Sequence, residues 1–131
     1  MKKAEEIYKE YLDDSWLSVY DYQPMLNEFG EIILQQDDNQ YSGDSRVIYK
    51  DGARYGFLIF GWGSCSGCDA LQACRKISEV QELMDELNQQ IKWFDSIEEL
   101  KEYFRNKDWS LEWSWSADET KQFVENALLL Q

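Results

Sequence analysis

The sequence predicts an α+β fold: a small, mostly antiparallel sheet with helices packed on one side, in a single domain over residues 1–131. Three observations lead there. Two β-rich runs, 46–50 and 54–60, flank Asp51-Gly52, a dipeptide suited to the positive φ angles of a tight hairpin turn. Ser78, Ser96 and Ser116 each stand three residues before a Gln or Glu, the spacing of a helix-opening capping box. Trp109, Leu111, Trp113 and Trp115 alternate with Ser110, Glu112 and Ser114, as on a half-buried strand.

The elements follow in order. Ile7, Tyr8, Tyr11 and Leu12 form one apolar stripe of a helix over 3–13. A loop surrounds Pro24, the only proline in the chain, and 31–35 reads as a short strand. Residues 37–44 are polar and loop-like. The run 54–60 is apolar on both faces, which places it centrally in the sheet. Asp69-Ala70-Leu71-Gln72 has cap spacing and opens a short helix. A helix from Ser78 turns Val80, Leu83, Met84, Leu87 and Ile91 inward, and another from Ser96 does so with Ile97, Leu100, Tyr103 and Phe104. A short strand over 91–94 lies between them. The last helix buries Phe123, Val124, Ala127 and Leu128.

Composition bounds the function. The 131 residues make about one domain, and 44% hydrophobic with 15% aromatic content can fill one core. No apolar run approaches the roughly 20 residues that span a bilayer. Lys2-Lys3 precede no apolar stretch of a signal peptide, so a cytoplasmic location is expected. Acidic residues outnumber basic ones 26 to 13, a net charge of −13. That sign disfavours direct binding to nucleic acid or an anionic membrane and favours basic protein partners. No histidine is present, which removes the commonest general base and metal ligand.

The concentrated chemistry is Cys65, Cys68 and Cys74. Gly61, Gly63 and Gly67 let the chain fold tightly there, so the Cys65-x-x-Cys68 sulfurs can converge. Zinc needs four ligands, usually tetrahedral; the expected set is Cys65, Cys68, Cys74 and Asp69. Cys74 joins only if the helix starts near Asp69, because six helical residues would turn it about 240° from Cys68. A small thiol oxidoreductase or redox sensor using Cys65 and Cys68 is the alternative, and a packed cluster of small core residues is the plainest one. Asp13-Asp14 and Asp37-Asp38 read as solvated surface. Arg46, Lys50 and Arg54 form a small basic patch balancing nearby carboxylates. No phosphate loop, dinucleotide fingerprint or nucleophile elbow occurs.

The run Gly63-Ser64-Cys65-Ser66-Gly67-Cys68-Asp69-Ala70-Leu71-Gln72-Ala73-Cys74, with Tyr55-Gly56-Phe57 before it and Trp93-Phe94-Asp95-Ser96 after it, resembles a family of small uncharacterised acidic proteins of phages and bacteria. The likeness spans residues 46–115 and brings no catalytic residue. In size, acidity and its lone cysteine cluster the chain also resembles phage-encoded anti-CRISPR proteins, including type II inhibitors. That resemblance implies carboxylates set where the basic channel of an RNA-guided nuclease expects phosphates. The expected function is a non-enzymatic, acidic binding or inhibitory protein with zinc at its cysteine cluster.

Overall fold

In the computed structural model, residues 1–12, 17, 19–38, 42–63, 69–109 and 117–131 are described. Among them four strands form one antiparallel sheet in the order β1-β2-β3-β4: Glu31–Asp37, Gly43–Asp51, Arg54–Trp62 and Lys92–Phe94. The helices are α1 (Ala4–Ile7), α2 (Gln23–Leu26), α3 (Ile77–Gln90), α4 (Ile97–Asn106) and α5 (Ala117–Leu128).

The helices cover both faces of the sheet, not one. Alternation along β2 and β3 divides the apolar residues into two cores. Val47, Tyr49, Leu58 and Phe60 meet Met25 and Leu26 of α2 and Val80, Met84 and Leu87 of α3. Ile48, Tyr55 and Phe57 meet Leu100 and Phe104 of α4 and Phe123 and Ala127 of α5. A strand apolar on both faces leaves one face wet unless both are covered, so the two layers follow from the composition of 54–60.

Local signals hold with shifts of a residue or two. The hairpin pairs Asp51 with Arg54, so its central residues are Gly52 and Ala53 rather than Asp51 and Gly52. Gly52 takes φ +62°, as the first central position of a type II′ turn requires. Ser96 Oγ accepts from Glu99 N at 3.2 Å, and Glu99 Oε2 accepts from Asp95 N at 3.0 Å, which closes the α4 cap as expected. At α3 the cap falls at Lys76, not Ser78: Glu79 Oε1 accepts from the backbone N–H of Lys76 at 3.0 Å and of Arg75 at 2.9 Å. Ser116 lies outside the described residues.

Other expectations change. The N-terminal helix breaks at Tyr8, whose ring is fully buried, and resumes as one 3-10 turn over Lys9–Tyr11. The segment around Pro24 is the helical turn α2, with the proline in its first turn, where a missing N–H costs nothing. After Asp69 the chain makes a turn over 70–73, not a short helix. Of the expected 109–115 strand, only Trp109 is described. It sits in a helical turn after α4, buried against Phe57 and Phe104, and its Nε1–H donates to Phe104 O at 2.8 Å.

Two surface readings are overturned together. Arg46 is fully buried, and Asp38 is 5% exposed. Arg46 Nη1 donates to Asp38 Oδ1 at 2.8 Å and Nη2 to Thr120 Oγ1 of α5 at 2.8 Å, with Asp44 Oδ2 3.9 Å away. Arg46 shares the Ile48 face of β2, so its alternation with Val47 drives the guanidinium inward under α5. Asp38 also accepts from Asp44 N at 2.7 Å. Gly43 permits this fold-back, since a Cβ there would lie 2.5 Å from Asp38 Oδ2.

Removing one partner of a buried pair strands the other charge. Asp38→Ala is expected to cost about 3–5 kcal/mol in urea unfolding, and Asp38→Ala with Arg46→Met is expected to recover most of it. Equal losses in the single and double variants would show that the pair is not what holds this region.

Candidate functional site

A cleft of about 280 Å³ opens on the first face of the sheet, where the cover of α2 and α3 ends. Its floor is set by a bulge. The β1–β2 register shifts between Ile32 and Leu34, with Ile32 opposite Tyr49 but Leu34 opposite Ile48. The extra residue reverses the alternation. Gln35 and Asp37 therefore come to the same face as Ile32, opposite Val47 and Ser45. Without the bulge both would point under α5. Ser45 and Trp62 complete this side.

The opposite wall is the segment before α2. Tyr20 is 68% exposed at the mouth. Asp21 Oδ1 accepts from Gln23 N at 3.0 Å. Gln23 and Gln35 exchange reciprocal amide hydrogen bonds of 3.0 and 2.8 Å, and Gln35 Nε2 also reaches both oxygens of Asp37 at 3.2 Å. A polar ladder thus joins α2 to β1 and orients Asp37. Asp21 and Asp37 are exposed, and among the described residues neither pairs with a cation.

The third side is held by Asp69, 4% exposed. Its Oδ1 accepts from Tyr22 OH at 2.8 Å and Gly63 N at 3.2 Å, and its Oδ2 accepts from Gln72 N at 3.0 Å. Three donors compensate a buried carboxylate that pairs with no cation among the described residues. Gln72 Nε2 donates to Gly63 O at 3.0 Å, and Leu71 N donates to Tyr22 OH at 3.2 Å. One side chain thereby ties the end of β3, the turn over 70–73 and the Tyr22 wall together. Burial, then the bond to Asp69, pushes the Tyr22 phenol well above the ordinary tyrosine range.

Of the four expected zinc ligands, Cys65 and Cys68 lie outside the described residues. Asp69 and Cys74 are described, and both are engaged. Asp69 serves the three donors above. Cys74, 6% exposed, packs in the first core and donates Sγ–H to Ala70 O at 3.4 Å. Burial, then the charges of Glu79 and Asp69, push its thiol upward. A metal site drawing on Cys74 would take its sulfur as thiolate and so end the bond to Ala70 O, whereas Asp69 keeps acceptor capacity beyond its three donors. Among the described residues no group of three or more Cys, Asp or Glu converges on a point.

Sequence reasoning missed the cleft. Its polar floor, Gln35, Asp37 and Ser45, lies in segments that read as strand ends and loop. The one available signal was aromatic: Tyr20 and Tyr22 flank Asp21, and Trp62 stands between Gly61 and Gly63. No protein-family model, curated protein or solved structure matches the chain.

The folded state holds the Tyr22 proton more tightly than the unfolded chain, whose phenol has the ordinary value of 10.0. Its contribution to stability is complete below about pH 10 and is lost as pH rises toward the folded value. Tyr22→Phe should cost about 1–3 kcal/mol at neutral pH, because Asp69 and Leu71 N lose a partner. It should also flatten the loss of stability between about pH 10 and pH 12, read by unfolding curves at each pH. An unchanged alkaline slope would remove Tyr22 from this account.

Proposed function

We propose that the protein is a non-enzymatic binding or inhibitory protein that presents carboxylates to a basic partner. The observation that carries this is the cleft, which Asp21 and Asp37 line together with Tyr20 and Trp62 on a chain of net charge −13. Carboxylates beside exposed aromatic rings recognise cations by charge and by the ring faces together. A second acidic ridge runs along α3, where Glu82, Asp85 and Glu86 are exposed on the side away from Met84 and Leu87. The partner class that fits is a nucleic-acid-handling protein, whose basic channel attracts anions by the same field. An anti-CRISPR-type inhibitor, the kind of protein this chain resembles in size and acidity, is the specific form of this reading.

Binding to a short peptide of alternating lysine and arginine tests it with the full chain. The dissociation constant should rise about tenfold or more between about 50 and about 300 mM salt. Asp21→Asn with Asp37→Asn should weaken binding more than Glu82→Gln, Asp85→Asn and Glu86→Gln together, which should mainly slow association. Binding indifferent to salt would count against electrostatic recognition.

Zinc at the cysteine cluster, on Cys65, Cys68, Cys74 and Asp69, is the structural part of the proposal and has its own readout. Asp69 ties together Gly63 and the turn after it, the two flanks of the segment carrying Cys65 and Cys68. About one zinc per chain, lost in Cys68→Ser together with thermal stability, is expected of a structural clip. Metal-free protein with a melting curve indifferent to chelator would remove zinc from the reading.

A further inference from the structure

We infer that the cleft is an arginine pocket: it takes one guanidinium side chain of the protein partner, between the Tyr20 and Trp62 rings and against Asp37 and Ser45. The inference rests on the binding reading above and names the group that enters the site.

Size argues first. At about 280 Å³ the cleft falls at or below the roughly 300–1,000 Å³ of small-molecule sites, so it suits one side chain better than a nucleotide or an organic cofactor. Its accessible acceptors argue second. Ser45 is 5% exposed and lines the cleft, and its hydroxyl makes no hydrogen bond among the described residues. Among the described residues the buried polar atom without a partner is Arg46 Nε, so the Ser45 hydroxyl meets solvent in the cleft, and an incoming N–H can take the place of water there. Asp37, one strand over in register with Ser45, offers two carboxylate oxygens already oriented by Gln35.

The shape of the acceptor set selects arginine over lysine. A guanidinium is planar and carries five N–H donors in a fixed fork, so it can lie against an aromatic ring while bonding carboxylate and hydroxyl edge-on. An ammonium is a compact, strongly hydrated point charge that gains less from such a slot. The protein uses this combination on itself elsewhere. Arg54 lies with Cζ 4.7 Å from the Trp93 ring centroid while Nη2 reaches Asp51 at 3.3 Å. Its net charge of −13 draws the incoming cation from any direction.

The test uses the full-length protein with hexaarginine and hexalysine, which carry equal charge, titrated by calorimetry at low salt. Tyr20→Ala and Asp37→Asn change exposed side chains, and their melting curves serve as the check on folding. Hexaarginine is expected to bind about tenfold tighter than hexalysine, and either variant to erase most of that preference. Ser45→Ala should reduce the preference without altering hexalysine binding. Equal affinities, or an arginine preference that survives both Tyr20→Ala and Asp37→Asn, would overturn the pocket while leaving the acidic binding reading standing. Failure of both peptides to bind at low salt would overturn both.

Discussion

The buried contact between Arg46 and Asp38 is the constraint on which the rest of the fold turns. A fully buried guanidinium is tolerable only with a carboxylate against it, and Asp38 is the carboxylate at 2.8 Å. That requirement brings the chain after β1 back over the start of β2, so that Asp38 also accepts from Asp44 N. Through Thr120 the same guanidinium reaches α5, a helix 74 residues further along the chain. One side chain therefore joins the β1–β2 connection to the helical layer on the second face. Its Nε has no hydrogen-bond partner among the described residues, which makes the remaining bonds the more costly to lose.

Asp69 plays the matching part on the first face. It is a buried carboxylate that pairs with no cation among the described residues, held by two backbone N–H groups and a phenol. Each donor comes from a different piece of chain: the wall before α2, the end of β3 and the turn over 70–73. The two buried carboxylates bracket the cleft, Asp38 from β1 and Asp69 from the cysteine-bearing side. Both are consumed by structure. The exposed pair, Asp21 and Asp37, is left to face solvent, and that division of labour separates the acids that build the site from those that offer charge.

The same logic bears on the cysteines. Cys74 is buried with its Sγ–H on the Ala70 carbonyl, and burial, then the charges of Glu79 and Asp69, push its thiol upward. Its side chain packs in the first core. The Cys65-x-x-Cys68 pair belongs to a segment whose flanks Asp69 joins.

The sequence by itself determined the elements whose signal is local. The Gly52 hairpin, the Ser96–Glu99 cap and the inward stripes Val80–Met84–Leu87 and Leu100–Phe104 are each set by residues within a turn or two of one another, and they appear where the pattern places them. The double-sided apolar character of 54–60 was legible too, though its consequence, helices on both faces, is a property of the packed sheet. Tertiary structure alone decided the rest. Whether Arg46 and Asp38 meet water or each other depends on α5 closing over them, and the pattern of charges cannot register a helix so distant in the chain. The bulge at Ile33 is invisible in a run of three aliphatic residues, because any of them fits either face; only the pairing with Tyr49 and Ile48 reveals the slip. That slip carries Gln35 and Asp37 into the cleft. The site is therefore a product of register, and register is a relation between strands rather than a property of any one of them.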